Sequence, residues 1–246
     1  GIPHYRRSLL PGFHMREARR LTGQTMLPIL VMNGRAINDS TRIIEALEQA
    51  YPAVPLYPED TALRRRALEL EEYFDEEWGP HLRSAAFYLM RPYPRYFASL
   101  ADTDRGLVTR LVYRTAFPLM LTLLLRKRKT KLDKGAFDES HRKVEEGLAR
   151  LEREIQPSGY LVGDRFTVAD LTAAAMLSPM MRPPQFPYPA TEPRPQPVAE
   201  YRQRFAARPG WRWAEEMYRR HRGRWVQVPA GAVDDRRVEG LRLRAP

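Results

Sequence analysis

The spacing of apolar positions changes more than once within the first fifty residues. Tyr5 to Leu10 reads as a strand, and Met15 to Leu21 as a weak, arginine-rich helical turn. Met26 to Met32 is a short apolar run with Pro28 near its start. Proline donates no N–H to a ladder, so this placement predicts either an edge position or a cis Leu27-Pro28 bond. Asn33-Gly34 separates LPILVM from RAI and is a strong two-residue hairpin signal. Asp39-Ser40 then precedes Ile43, Ile44 and Leu47 at helical spacing, which predicts a helix from Asp39 to Ala50 capped by that pair.

Prolines at 52, 55 and 58 interrupt the chain and mark the best boundary between domains. From Asp60 onward the periodicity is helical. Leu63, Ala67, Leu70, Phe74 and Trp78 form one apolar face, with Glu69, Glu72, Asp75 and Glu76 on a solvated one. Phe137, Val144, Leu148, Leu151 and Ile155 form a second such face. Thr167 to Asp170 is a Thr-x-x-Asp capping box, and Phe166 is placed to staple onto Leu171. The stretch from Pro179 to Pro197 reads as a loop, followed by short helices near Ala199 to Ala207 and Trp211 to Arg222. The expected division is a first domain over 1–52, a linker over 53–59, a helical domain over 60–225 and a basic tail over 226–246.

Leu111 to Leu125 is the most apolar run, and Arg126-Lys127-Arg128-Lys129 follows it directly. It is shorter than the roughly 20 residues of a spanning helix and contains Arg114 and Pro118. A buried helix with a basic C-terminal end is the preferred reading; peripheral attachment to anionic lipid is the lesser one.

Composition narrows the chemistry. The 246 residues carry 41 Lys+Arg against 30 Asp+Glu, a formal charge of +11, which favours anionic partners. No zinc-finger spacing, RNP-like motif or helix-turn-helix signature accompanies the charge, so no specific nucleic acid is implied. The absence of cysteine excludes disulfides, thiolate metal sites and a cysteine nucleophile within these residues, and fits a reducing compartment. The five histidines lack metal-ligand spacing. No GxGxxG, GxxxxGK[ST] or GxSxG is present. No signal-peptide pattern opens the sequence.

The ordered set MLPILVMNGRAINDSTRIIEAL offers a small-molecule anion site, because a helix N-terminus presents unpaired N–H groups and partial positive charge. It resembles the glutathione-binding half of soluble, bacterial-type glutathione S-transferases, and YLVGDRFTVADLTAAAML resembles the capping motif of their all-helical domain. The resemblance spans roughly residues 1 to 222. It implies an α/β thioredoxin-like N-terminal domain, incomplete because its first strand and helix precede a turn like Gly1-Ile2-Pro3, then an all-α domain, mostly α overall. It also implies that Leu27, before a cis Pro28, pairs through its backbone with the cysteinyl part of glutathione. Ser40 would take the γ-glutamyl carboxylate, with Asp39 near the γ-glutamyl amine. Thr167 and Asp170 would be structural.

The expected activity is conjugation of glutathione, a co-substrate rather than a cofactor, to a hydrophobic electrophile. The family's catalytic Tyr, Ser or Cys belongs to the region expected to be missing, so the catalytic residue is unknown, and no metal is expected. The expected partners are glutathione, a hydrophobic small molecule lying against Phe87, Tyr88 and Met90, and a second copy of the chain. The expected setting is cytoplasmic detoxification. The rivals are a non-catalytic glutathione- or ligand-binding module and a membrane-associated member.

Overall fold

A computed structural model describes residues 2, 4–7, 9, 14–100, 115, 116, 119, 133–186 and 193–223. The apolar-basic stretch 120–132 and the tail after 223 lie outside these, as does most of the run 111–119. The chain divides into two compact units, with the change at Pro55–Leu56.

The smaller unit is built on helix α1 (His14–Thr22), strands β1 (Ile29–Met32) and β2 (Arg35–Asn38), and helix α2 (Ser40–Ala50). The strands are antiparallel, pairing Ile29 with Asn38, Leu30 with Ile37, Val31 with Ala36 and Met32 with Arg35. Asn33 (φ 51°) and Gly34 (φ 76°) form the turn, as a two-residue hairpin requires. Helix α1 is longer than its weak apolar period implied, and Ala18 is fully buried on it. The strand expected from Tyr5 to Leu10 is corrected: its described residues form no strand, and the neighbouring His4 makes an isolated bridge. Two adjacent arginines, Arg6 and Arg7, break the alternation a strand face needs.

The larger unit begins with an unbroken helical run: α3 (Thr61–Glu72), a π segment (Tyr73–Trp78) and α4 (Gly79–Met90). Asp60 caps it, accepting from the N–H groups of Ala62 and Leu63 at 3.0 and 2.9 Å. Ala67, Leu70, Phe74, Trp78, Leu82 and Ala85 are all buried along it. Positions 70, 74, 78 and 82 step by four, so in a regular α-helix each would drift about 40° around the axis. The wider π turn cancels that drift and keeps one face inward, a re-phasing the sequence pattern alone does not disclose. Leu63 is a correction: it is 41% exposed, lying in the first turn before that face begins.

Helices α5 (Pro94–Ser99), α6 (Lys134–Glu154), α7 (Val168–Met181), α8 (Gln196–Ala206) and α9 (Pro209–His221) also belong to this unit. Helix α7 is its centre, with Val168, Ala169, Ala173, Leu177 and Met181 buried. It continues through Pro179, where a loop was expected. Proline removes the N–H that would reach Ala175, and the Ser178 hydroxyl donates to that carbonyl instead at 2.8 Å. Helix α6 buries Val144, Leu148 and Leu151 as expected, whereas Phe137 and Ile155 are only half-buried.

Close approach of α6 to the π segment depends on Gly147. Trp78 lies over it and donates Nε1–H to the Val144 carbonyl at 3.2 Å. A Cβ at position 147 would sit 2.1 Å from Trp78 Cδ1. Helix α9 is tied to α6 by Arg208, whose guanidinium reaches Glu152 at 2.7 Å and Glu145 at 2.9 Å. Burial pushes the Glu152 carboxyl up, but Arg208 and the Gly210 N–H outweigh it and hold its pKa below the ordinary value.

Two outcomes follow from these contacts. Gly147→Ala forces Trp78 out of place and should cost about 3 kcal/mol in denaturant unfolding, an overpacking effect at the upper end of its usual range. A carboxyl whose folded pKa lies below its unfolded value contributes stability above the unfolded pKa and loses it as pH falls through the folded one. Stability should therefore decline as pH drops below about 4.5, and Arg208→Gln should flatten that decline in melts taken across the acid range.

Candidate functional site

The hairpin register assembles the candidate residues of the smaller unit. Ile29 pairs with Asn38 at the end of the ladder. Pro28 directly precedes β1 and Asp39 directly follows β2, so both flank this last pair. Leu27-Pro28 and Asp39-Ser40 therefore belong to the same end of the hairpin, away from the Asn33-Gly34 turn. The Leu27-Pro28 peptide is cis, the second of the two arrangements anticipated. Leu27 is 46% exposed, and the strand ladder begins only after Pro28.

Two side chains hold the approach in place. Asn38 Nδ2 donates to Gln24 Oε1 at 2.6 Å, tying the segment after α1 to the end of β2. Thr22 Oγ1 donates to the Ala18 carbonyl at 3.0 Å and accepts from the Gln24 N–H at 3.4 Å. Neither Gln24 nor Asn38 stood out in the sequence. A single amide pair joining positions 24 and 38 leaves no periodic signal.

Asp39 is the N-cap of α2. Its Oδ1 accepts from the N–H groups of Thr41 at 3.0 Å and Arg42 at 3.4 Å. It does so at φ 73°, in the left-handed region that disfavours residues with a Cβ. Its Oδ2 has no hydrogen-bond partner among the described residues. Ser40 is half-buried as the first helical residue, and its N–H is one of the donors a helix N-terminus leaves unpaired. The Leu27-Pro28 segment, a hydroxyl, a carboxylate oxygen and a helix N-terminus thus share one end of the hairpin. That combination offers N–H donors to an anionic group and a carboxylate oxygen to a cationic one.

Thr167 and Asp170 belong to the larger unit and are structural. Asp170 is fully buried at the start of α7. Its carboxylate accepts from Leu161 N–H, Thr167 N–H and Thr167 Oγ1, each at 2.8 Å. Burial raises its pKa, opposed by those donors. Phe166, expected to staple Leu171, has its ring stacked on His221 with centroids 4.1 Å apart. Phe87 packs near Phe97 at 5.5 Å, and Tyr88 stacks on Phe137 at 4.5 Å. Among the described residues, no group of His, Cys, Asp and Glu could hold a metal ion. No described helix is long and apolar enough to cross a membrane.

Residues 1–55 match the glutathione S-transferase N-terminal domain and residues 134–212 the glutathione S-transferase C-terminal domain. The chain belongs to the glutathione S-transferase family, with a thioredoxin-like N-terminal unit followed by a helical one. Among solved structures it resembles the beta-etherase LigF from a Sphingobium species, at 22% identity over 82% of this chain and 83% of that one, with a TM-score of 0.50. A glutathione S-transferase from Methylobacterium radiotolerans, solved with glutathione sulfonate, is 21% identical over 79% and 74% of the two chains (TM-score 0.42). One from Rhodospirillum rubrum is 21% identical over 81% and 74% (TM-score 0.45). No curated protein sequence matches the chain significantly.

The geometry at Asp39 separates cap from strain. Asp39→Ala loses the cap and keeps a Cβ at positive φ, so it should destabilise the chain by about 2 kcal/mol. Asp39→Gly loses the cap but relieves the backbone and should cost only a few tenths of a kcal/mol. Urea unfolding of the two variants checks the order.

Proposed function

We propose that this chain binds glutathione at the hairpin end formed by Leu27, Pro28, Asp39 and Ser40. What supports the reading is the antiparallel pairing of β1 and β2, by which Leu27-Pro28 before β1 and Asp39-Ser40 after β2 share one end of the hairpin. In this reading the cysteinyl main chain pairs with Leu27. The γ-glutamyl carboxylate takes the N–H and hydroxyl of Ser40, and the ammonium lies at Asp39 Oδ2. Family membership supports glutathione as the molecule of matching shape and charge.

The reaction we propose is transfer of the glutathionyl group to a hydrophobic electrophile. The thiol loses its proton, sulfur forms a bond to an electrophilic carbon, and either a leaving group departs or the adduct is protonated. A free thiol has a pKa near 8.5, so little is ionised at neutral pH and a nearby donor must stabilise the thiolate. None of the four assigned residues has that role; they orient the tripeptide. The same reading takes the chain as a homodimer working in the cytoplasm, a reducing setting in keeping with its lack of cysteine.

Calorimetric titration with glutathione tests the site. Ser40→Ala should weaken binding about tenfold, the value of one charge-assisted hydrogen bond, with the melting temperature unchanged. Cysteinylglycine, which lacks the γ-glutamyl carboxylate, should bind wild type and variant alike. Equal glutathione affinity in the two proteins would sink the assignment of Ser40. Binding without turnover of any aromatic electrophile would favour the non-catalytic module over the enzyme.

A further inference from the structure

The larger unit contains a cleft of about 540 Å³ that the glutathione site does not use. One wall is Pro92 to Tyr96, running from the turn after α4 into α5; the other is Pro193 to Pro195, leading into α8. Its size falls within the range of small-molecule sites. Four of its lining residues are prolines, Pro92, Pro94, Pro193 and Pro195, whose fixed φ makes both walls stiff before any ligand arrives. A preformed wall lowers the ordering cost of binding.

The remaining lining residues are Tyr93, Arg95, Tyr96 and Arg194. Arg95 is exposed, and Tyr93 is 36% exposed. None of the described lining residues is acidic. A third arginine, Arg182, ends α7 within electrostatic reach of Tyr96 and Arg194. Its backbone is left-handed at φ 48°, and Arg202 fixes it by donating through Nε and Nη2 to the adjacent Met181 carbonyl at 3.2 and 3.1 Å. Burial depresses the Arg182 guanidinium; Tyr96 opposes that shift and the charge of Arg194 adds to it. Positive charge is thus gathered around an aromatic, proline-walled cleft, where a negative group would be stabilised.

We propose that this cleft binds a small aromatic carboxylate, with its ring against Tyr93, Tyr96 and the prolines and its carboxylate on Arg95 and Arg194. Guanidinium suits such a ligand because it meets a carboxylate with two parallel N–H donors and also stacks on aromatic faces. The tyrosines and prolines select a flat ring over an aliphatic chain of the same charge. The assignment does not rest on the glutathione reading, since all the residues involved belong to the larger unit.

Titration of the full chain with cinnamate, cinnamamide and butyrate, followed by calorimetry, tests the proposal. Cinnamate should bind at least tenfold more tightly than the neutral amide or the aliphatic acid. Arg95→Gln and Arg194→Gln should each weaken cinnamate roughly tenfold, and Tyr93→Ala should weaken it by a similar factor. Arg95→Gln changes an exposed side chain, so its fold is retained and its result stands even where another variant unfolds. Ser40→Ala should leave cinnamate binding unchanged. Equal binding of cinnamate and cinnamamide, no binding of cinnamate, or full affinity in Arg95→Gln would each overturn the proposal. A loss in Ser40→Ala equal to that in the arginine variants would also overturn it, by moving the ligand to the hairpin end.

Discussion

The buried carboxylate of Asp170 organises the larger unit. It collects three donors, two of them backbone N–H groups from Leu161 and Thr167 that burial would otherwise leave unsatisfied. One side chain therefore fixes both the start of α7 and the turn leading into it. The neighbouring Val168 N–H reaches back to the Leu56 carbonyl at 3.0 Å, so the first residues of the unit are pinned to the same helix start. With its N-terminus held, α7 can run through the core with small and apolar residues on nearly every side. The burial that raises the Asp170 pKa is the same burial that strengthens its hydrogen bonds.

Packing around α7 then turns on a few close approaches. The π segment keeps Phe74 and Trp78 on the inward face, and Gly147 lets α6 pass beneath Trp78. Gly210 has the same role for α9, since a Cβ there would lie 2.8 Å from Leu148 Cδ1. The smaller unit follows a different logic. Ala18 is its one fully buried apolar residue among those described, and its order at the hairpin end comes from directed contacts: the Asn38–Gln24 amide pair, the Asp39 cap and the β1–β2 ladder. Such an end is open to solvent, as the proposed capture of a charged tripeptide requires.

Local signals were legible in the sequence. Asn33-Gly34 can turn a hairpin because both residues tolerate positive φ, Asp39-Ser40 begins a helix, and Thr167 with Asp170 begins another; each is chemistry between residues at most three apart. The apolar faces of α3 and α6 were legible for the same reason, apart from their ends. Leu63 lies too early in α3 to reach the core, and Phe137 and Ile155 lie near the two ends of α6. Pro179 misled because a helix breaker in the last turn can be rescued by a serine one residue earlier, and composition shows only the proline. The π segment was hidden because a step of four is compatible with an α-helix until the drift is summed over three steps. The cleft between Pro92–Tyr96 and Pro193–Pro195 joins segments about a hundred residues apart, and nothing local announces that pairing.

Charge links the two proposed sites without making them alike. At the hairpin end a single helix N-terminus and a carboxylate oxygen match a zwitterion, whereas the cleft gathers arginines around aromatic rings and matches a simple anion. Occupancy of the hairpin end by glutathione is open to a direct test, backbone amide NMR of the ¹⁵N-labelled chain during a glutathione titration. The Leu27 and Ser40 resonances should shift with a common saturation curve. Saturable shifts confined to other residues, with Leu27 and Ser40 unmoved, would contradict it.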